Sequence, residues 1–314
     1  MATSIHLPAT MRAAQWRSVG GGIERNMKIN TEAQLPKGAK NLPKSCTLVR
    51  VAYASLNHLD YKIAEMPLVS SFISKPATPG LDFSGTVIAS TLATLRPGQR
   101  VFGRNEPSMG GTLAEYVVVG KANIAVLPEG VSLRDAACVG ICGVTALQSL
   151  APFVRQGSSV LINGGSGGVG VFAIEVAKAL GCTQITAICS ARNADLCRRL
   201  GADSIIDYTS GDLVKDLKES GQQYDHILDT VFETPDLYWQ CHHYLVAEGT
   251  GGQRTFRFHS VTSNTADFLR IASLVADGSV EIVVDEEFNL ADVCKAYGKL
   301  KSGRTVGKLV VRVS

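Results

Sequence analysis

Hydrophobic and polar positions alternate with a short period over the first part of the chain. Residues 47–53, 83–88 and 116–119 are runs of branched and aromatic side chains, separated by Pro and Gly. The prolines recur at intervals typical of turns, and proline is unfavourable inside helices. This pattern predicts a β-rich region over roughly the first 125 residues.

From about residue 132 the pattern changes to an apolar strand, a glycine turn and a helical period, repeated several times. The pattern predicts strands at 160–162, 185–189, 204–208 and 226–229, with helices at 171–180 and 194–200. Such an alternation is typical of a doubly wound parallel sheet. The last part predicts a helix at 267–276, a strand at 281–284, a helix at 290–300 and a strand at 308–313.

Composition excludes several classes of protein. The chain has 314 residues, of which 45% are hydrophobic and 19% charged, and its net charge is +3. This length exceeds what one hydrophobic core usually fills, and the small charge indicates neither nucleic-acid nor membrane binding. The eight cysteines form no CxxC pair, and no secretion signal opens the chain, so we expect free thiols in a soluble, cytoplasmic protein without a metal site.

A glycine loop follows the predicted strand at 160–162. Its motif GxGxxG consists of Gly165, Gly167 and Gly170, and a helical apolar face follows, with Gly181 placed to end the helix. In such loops one glycine permits the turn, one lets the backbone approach a pyrophosphate, and one allows close packing of helix and strand. The sequence therefore predicts a dinucleotide site at this loop. A tight turn without a ligand is the alternative.

The end of the next strand indicates which dinucleotide is bound. An NAD site places an acidic residue there, about 20 residues after the loop, to bind the ribose. This chain has Ser190, Arg192 and Asn193 instead, and arginine forms paired hydrogen bonds with phosphate oxygens. We therefore expect NADPH rather than NADH. The alternative is that Arg192 is a solvated loop charge and Ser190 caps a helix.

Several segments in order resemble a known family. They are 11–14 (MRAA), 55–62 (SLNHLDYK), 79–85 (PGLDFSG), 143–147 (GVTAL), the glycine loop, 200–203 (LGAD), 206–208 (IDY) and 307–310 (GKLV). Together they resemble the zinc-free branch of the medium-chain dehydrogenase/reductase superfamily, which contains quinone oxidoreductases and 2-enone or enoyl reductases. The resemblance implies a GroES-like catalytic domain formed by residues 1–127 and 263–314, with a Rossmann NADPH-binding domain at 128–262 between them.

The resemblance also implies site residues. Ser190, Arg192 and Asn193 would hold the 2′-phosphate, and Tyr208 would pack against that end of the cofactor. Gly165, Ser166, Gly167, Gly168 and Val169 would line the pyrophosphate, Thr145 would lie near the nicotinamide, and Asn57 would lie beside the hydride-transfer position. Zinc members of the superfamily have a cysteine where this chain has Asn57 and a histidine where it has Leu81, so no catalytic zinc is expected.

The reaction implied is hydride transfer to the β-carbon of a conjugated carbonyl compound, with negative charge building on its oxygen. Candidate hydrogen-bond donors are Asn57, His58 and Tyr61. Asn57 has a structural alternative, as a turn residue capping the helix of Asp60, and His58 has one as a structural hydrogen-bonding residue. Quinone reduction, or a redox-neutral role as a cyclase, isomerase or binding protein, remains an alternative function.

One region departs from the family pattern. Residues 244–252 run almost directly into the segment at 253–256, where relatives have an additional strand, loop and helix used in dimerisation and in one wall of the cleft. We therefore expect a monomer or a non-standard dimer acting on a small molecule. A wider cleft that accepts a bulky substrate is a hypothesis that follows from the same difference.

Overall fold

The described strands form three separate sheets, of seven, four and two strands. The structure, a computed structural model, describes residues 7–247 and 254–314. Within these residues the chain divides into a first unit, up to Ile141 with Thr262–Ala276 and Val284–Ser314, and a second unit, within Cys142–Val261 and Asp277–Val283. The first unit is β-rich and the second is α/β with a parallel sheet, so the predicted fold class is confirmed.

The strands, in chain order, are β1 Thr10–Gln15, β2 Lys28–Gln34, β3 Cys46–Ser55, β4 Asp82–Ser90, β5 Arg100–Arg104, β6 Tyr116–Gly120, β7 Ile124–Val126, β8 Ser159–Asn163, β9 Gln184–Cys189, β10 Ser204–Asp207, β11 His226–Asp229, β12 Val284–Asn289 and β13 Lys308–Arg312. The α-helices are α1 Ile23–Asn26, α2 His58–Glu65, α3 Pro67–Ser71, α4 Leu133–Ala136, α5 Val144–Leu150, α6 Gly168–Ala179, α7 Ala194–Leu200, α8 Leu213–Glu219, α9 Pro235–Trp239, α10 Thr265–Ala276 and α11 Val293–Lys301.

The sheet of the first unit has the order β12-β13-β3-β4-β5-β7, and β6 pairs with β3. Pairing is antiparallel except between β12 and β13. Apolar residues of both ends of the chain, including Val49, Phe83 and Val311, pack in one core, because β13 lies directly beside β3. The last strand is therefore part of the domain that the first strands begin.

The second unit contains a four-stranded parallel sheet in the order β10-β9-β8-β11. Its central strand β8 carries three consecutive fully buried apolar residues, as expected for a strand covered on both faces. Helix α6 is buried from Gly170 to Ala177, and the chain leaves the helix through Gly181 at φ +82°, as predicted.

The boundaries between the units differ from the expected ones. The sequence places the first boundary at 127/128, whereas the structural division lies at 141/142, because α4 packs on β3, β4 and β5. Residues 277–283 belong to the second unit rather than to a continuous return segment. The backbone N–H of Glu281 in this segment donates to the carboxylate of Glu175 in α6 (2.8 Å).

The strand predicted at 281–284 is wrong in its position. The strand β12 starts at Val284 and ends at Asn289, and it contains the acidic residues Glu286 and Glu287. Its edge position explains the difference, because Glu286 and Glu287 form exposed ion pairs with Lys299 and Arg312 instead of packing in a core. Polar residues on an edge strand hide the usual apolar pattern.

Two further expectations concern cysteines and membranes. All eight cysteines are free thiols and six of them are buried, which confirms the prediction. Within the described part of the chain, no helix combines the length and apolar character needed to cross a bilayer.

The shortened region lies partly outside the described residues, which exclude 248–253. In the described residues on either side, 230–247 and 254–264, the backbone forms no strand, only an isolated parallel bridge between Tyr224 and Leu245.

Candidate functional site

The glycine loop connects β8 to α6 in a tight turn. Gly164 has φ +81°, and Gly167 donates its backbone N–H to the carbonyl oxygen of Gly164 (2.9 Å). The amides of Gly164 and Gly165 both donate to the Ile188 carbonyl oxygen of β9, at 3.1 and 2.9 Å. The loop is therefore held rigidly against the neighbouring strand, and the positive φ lies one residue before the first glycine of the motif.

Glycine occupies the three motif positions for different steric reasons. A Cβ atom at Gly165 would lie 2.8 Å from Cβ of Ala187, and one at Gly170 would collide with the Gly164 carbonyl oxygen. A Cβ at Gly167 would approach only the Gly164 oxygen, at 3.3 Å. Gly165 and Gly170 thus permit close packing, whereas Gly167 leaves its surface open to a ligand.

The residues predicted to bind the pyrophosphate surround the start of α6. The helix begins at Gly168 and has 12 residues, so the backbone N–H groups of its first turn and its dipole favour an anion at this end. The structure brings together Gly165, Ser166, Gly167, Gly168 and Val169 in this loop and first turn. The rigid loop, the open face at Gly167 and the free helix end fit a dinucleotide phosphate.

The residues predicted at the adenosine end lie in the turn after β9. Ser190 is buried and begins the 3₁₀ turn Ala191–Asn193, but its side chain makes no capping hydrogen bond. Asn193 donates its side-chain N–H to the hydroxyl of Ser166 (2.9 Å), which joins this turn to the glycine loop. Arg192 is exposed. The structure therefore places Ser190 and Asn193 beside the loop and leaves Arg192 in solvent.

The third strand of the sheet ends in the segment that contains Tyr208. Tyr208 is 55% exposed, and the preceding Asp207 pairs with Cys189 in the register of β9 and β10. The Asp207 carboxylate accepts hydrogen bonds from the Thr209 hydroxyl (2.7 Å) and backbone N–H (2.9 Å), and these bonds lower its pKa. The Asp207 carboxylate is thus engaged in its own turn, one strand beyond the position that an NAD site uses.

Thr145 is the one predicted cofactor residue outside these loops. It is half-buried in α5, which packs against α6. Its role near the nicotinamide stays a prediction.

In the first unit, Asn57 begins helix α2. Its backbone N–H donates to Oδ2 of Asp60 (2.8 Å), the third residue of the helix, as in a capping box. The phenolic hydroxyl of Tyr297 in α11 also donates to this oxygen (3.4 Å). The backbone of Asn57 therefore caps the helix of Asp60, as the structural alternative predicts. The side chain of Asn57 has other partners.

The Asn57 side chain lies between two buried charges. Lys308 of β13 donates from Nζ to the Asn57 side-chain oxygen (2.6 Å) and to the Leu56 carbonyl oxygen (3.0 Å). Asn57 Nδ2 donates to Oδ2 of Asp82 (3.0 Å), which lies 3.8 Å from the ammonium. We call Asn57, Asp60, Asp82 and Lys308 the Asn57 cluster, and all four are buried.

Burial is the largest influence on the pKa values of the two acids in the Asn57 cluster. It raises the pKa of Asp60 to about 7, despite the hydrogen bond from the Asn57 amide. It also raises the pKa of Asp82, while the charge of Lys308 and the Asn57 hydrogen bond act in the opposite direction. Oδ1 of Asp60 is buried without a hydrogen-bond partner.

The other two candidate donors lie on helix α2, which follows Asn57. The Tyr61 ring is half-buried against the core of the first unit, with the Lys301 ammonium 5.4 Å from its centroid. His58 is exposed, and desolvation together with Lys62 and Lys308 lowers its pKa. A neutral imidazole at neutral pH follows. The catalytic roles of His58 and Tyr61 stay predictions.

Sequence reasoning missed Lys308 as a site residue. The available signal was a lysine at the start of an otherwise apolar final strand, within the motif at 307–310. A lysine in such a strand is either at an edge or buried with partners, and only the pairing of β13 with β3 decides between these positions.

Leu81 lies directly before Asp82 and lines, with Asp60 and Trp16, an open cavity in the first unit. Among residues 7–247 and 254–314, no three His, Cys, Asp or Glu side chains are placed to hold a metal ion. Leucine has no donor atom, so the side chains at 57 and 81 do not fit a catalytic zinc.

Two family descriptions match the chain. The family described as Alcohol dehydrogenase GroES-like domain matches residues 44–129, and the one described as Zinc-binding dehydrogenase matches residues 200–311. The first lies in the β-rich unit, and the second includes β10, β11 and the return to β13.

Known proteins resemble the chain over nearly its whole length. A trans-enoyl reductase of Aspergillus terreus is 38% identical, and the match covers 98% of this chain and 97% of that protein. Quinone-oxidoreductase QR1 of Triphysaria versicolor, a chloroplastic protein, is 30% identical, with 96% and 98% covered. The alignment with the Aspergillus protein has 348 positions against 314 residues here, so that relative contains residues that this chain lacks.

A solved structure, the quinone oxidoreductase of Coxiella burnetii, superposes with a TM-score of 0.84 at 26% identity. The superposition covers 97% of this chain and 99% of that one. The resemblance inferred from the motifs is thereby confirmed: the chain belongs to the medium-chain dehydrogenase/reductase superfamily, whose Rossmann unit binds a nicotinamide cofactor, and its relatives there are enoyl reductases and quinone oxidoreductases.

Proposed function

We propose that the protein is an NADPH-dependent, zinc-independent reductase of activated C=C bonds in α,β-unsaturated carbonyl compounds. The observation that carries this proposal is the Asn57 cluster. The Asn57 amide stands where zinc relatives have a cysteine ligand, a buried ammonium lies beside it, and Leu81 stands where they have a histidine ligand. This arrangement suits the stabilisation of a developing anion without a metal.

The cofactor preference rests on the turn after β9. Ser190 and Asn193 are held beside the glycine loop, and Arg192 extends from the same turn. Asp207, the acid at the end of β10, has its carboxylate occupied by Thr209. The turn thus offers a hydroxyl, an amide and a guanidinium and no free carboxylate, and such a set supports binding of a 2′-phosphate.

The cofactor, when bound, supplies the hydride. Hydride addition to the β-carbon moves the π electrons of the C=C bond toward the carbonyl oxygen and leaves an enolate, and a proton from solvent then adds to the α-carbon. The residues of the chain orient the reactants and provide positive potential for the enolate oxygen. No group of the protein has to change its oxidation state.

The test is turnover with two classes of acceptor. Purified protein is mixed with NADPH and a panel of enones, enoyl thioesters and quinones, and the near-ultraviolet absorbance of the reduced nicotinamide is followed. Product analysis should show a saturated carbonyl compound and equimolar loss of NADPH. Calorimetry with NADPH and NADH measures the cofactor preference separately, and equal affinity for both would contradict that part of the proposal.

Quinone reduction is the second candidate function. It is favoured by the similarity to the quinone oxidoreductases of Triphysaria and Coxiella, and it requires the same cofactor. Turnover of quinones without turnover of enones would identify the protein as a quinone reductase. Tight NADPH binding without oxidation by any acceptor would instead favour a redox-neutral cyclase, isomerase or binding protein.

We also propose that the protein is a monomer or a non-standard dimer that acts in the cytoplasm on a small molecule. The described residues 254–264 contribute no strand to the parallel sheet, whose order ends at β11. Light scattering on the purified chain determines the oligomeric state. A dimer joined through a continuous sheet would contradict this expectation.

A further inference from the structure

A lysine is buried inside the first unit. Lys308 is 2% exposed, and Asp82, 3.8 Å away, is fully buried. Burying an ammonium carries a large desolvation penalty that only well-placed partners offset. The Leu56 carbonyl oxygen at 3.0 Å and the Asn57 side-chain oxygen at 2.6 Å are such partners.

These contacts give the Asn57 amide a single orientation. An ammonium can only donate hydrogen bonds and a carboxylate can only accept them. The Asn57 oxygen must therefore face Lys308, and its nitrogen must face Asp82, to which it donates at 3.0 Å. The hydroxyl of Ser55 also donates to Oδ2 of Asp82 (3.3 Å), so the carboxylate is held as well.

We propose that Lys308 is a positioning residue for the reduction: it fixes the Asn57 amide and keeps a positive charge beside it. This inference rests on the proposed function. As the oxygen of the substrate gains negative charge, the fixed ammonium stabilises that charge more in the transition state than in the ground state. Lys308 keeps its proton throughout, and the proton that reaches the α-carbon comes from solvent.

Four titratable groups that face this position have been described, and the Arg104 guanidinium, whose charge lowers the pKa of Asp82, is a further one. Asp82 comes from β4, Asp60 from α2, Tyr297 from α11, and His58 follows Asn57. Two acids and one ammonium share a buried space, so removing the ammonium alone takes away the opposite charge 3.8 Å from Asp82. The experiment therefore includes a charge-balanced variant.

Two variants are compared with the wild type. Lys308→Met removes the ammonium, and Lys308→Met combined with Asp82→Asn removes both charges while keeping hydrogen-bonding capacity at position 82. We expect a fall in kcat of about 100-fold in both, with KM changed by less than about threefold, because the effect concerns the transition state. NADPH affinity measured by calorimetry should stay the same.

The matched control is Lys299→Met. Lys299 pairs with two carboxylates as well, Asp285 (3.1 Å) and Glu286 (2.8 Å), but at the surface. Its kcat should equal that of the wild type. Should Lys308→Met fail to fold, the double variant carries the test. A folded double variant with wild-type kcat overturns the proposal, and so does a loss that appears only in KM.

A second readout does not depend on turnover. Nuclear magnetic resonance of the asparagine side-chain amides, in the whole protein with NADPH present, should show slow solvent exchange for Asn57 in the wild type. In the double variant the exchange should be at least about tenfold faster, because the ammonium that holds the amide oxygen is gone. Unchanged exchange contradicts the positioning role, whereas absence of turnover in the wild type contradicts only the proposed function.

Discussion

Asn193 donates its side-chain amide to the hydroxyl of Ser166 across 2.9 Å, and this bond joins the turn after β9 to the glycine loop. The sequence predicts that the turn holds the 2′-phosphate and that the loop holds the pyrophosphate. The hydrogen bond joins these two segments into one surface. Arg192 extends from that surface into solvent. Its guanidinium is free to move onto a ligand phosphate at little structural cost.

Arg192→Ala is expected to weaken NADPH binding by about 10- to 100-fold, because a charge-assisted hydrogen bond to phosphate is lost. Binding of NADH, which has no 2′-phosphate, should change by less than about twofold. Calorimetry with both cofactors measures the two values. Arg198→Ala is the control, since Arg198 is also exposed but pairs with Asp195 within α7. Equal losses for both cofactors would contradict the assignment.

Gly170→Ala is expected to lower stability by about 1–3 kcal/mol and to abolish NADPH binding, because the added methyl group collides with the Gly164 carbonyl oxygen. Gly298→Ala in α11 meets no atom within 4 Å and should instead stabilise the protein by about 0.5–1 kcal/mol. Urea denaturation followed by fluorescence compares the two variants. A Gly170→Ala protein that binds NADPH normally would show that the loop can relax.

The contribution of Asp60 to stability should fall as the pH rises from about 4 to about 7. Asp60 has its pKa raised from 3.8 to about 7 by burial, so the folded state holds this proton over a range in which the unfolded chain has lost it. Below this window the contribution is fully present, and above pH 7 it is lost. Asp60→Asn should reduce the slope, as measured by urea denaturation at a series of pH values.

Glu175 provides an independent contribution of the same sign. Burial raises its pKa to about 7 as well, and its Oε2 is buried without a hydrogen-bond partner. Glu175→Gln should therefore remove a further part of the slope. Asp195→Asn, at a fully exposed carboxylate, is the control. A pH dependence of stability that is the same in the wild type, Asp60→Asn and Glu175→Gln would contradict both assignments.

Substitutions of the three candidate donors should differ in effect. Asn57→Ala removes the group between Lys308 and Asp82 and is expected to lower kcat by about 100-fold. Tyr61→Phe and His58→Gln should lower it by less than about tenfold, because the Tyr61 ring packs on the core and the His58 ring is exposed. Steady-state kinetics with one enone substrate measures which of the three substitutions lowers kcat most. A larger loss for Tyr61→Phe would assign the proton donor to its hydroxyl.

A contiguous stretch of the chain is enough to predict the parts of the fold that depend on neighbouring residues. Strand β8, its glycine loop and helix α6 were predicted from a buried apolar run, close-set glycines and a helical apolar face. Gly181 ends this helix as expected, because its left-handed conformation is a local property of glycine. The strand at 284–289 was misplaced because its acidic residues pair at a sheet edge, and no local pattern records such partners.

Only the tertiary structure decided the environment of Asn57. Lys308 is 251 positions away in the chain, and it reaches Asn57 because β13 pairs antiparallel with β3, placing Val310 opposite Ser55. Sequence position 308 by itself fits a surface lysine equally well. Burial and a contact between distant residues arise from strand pairing and core packing, so the charge beside Asn57 follows from the folded sheet and from no motif in the chain.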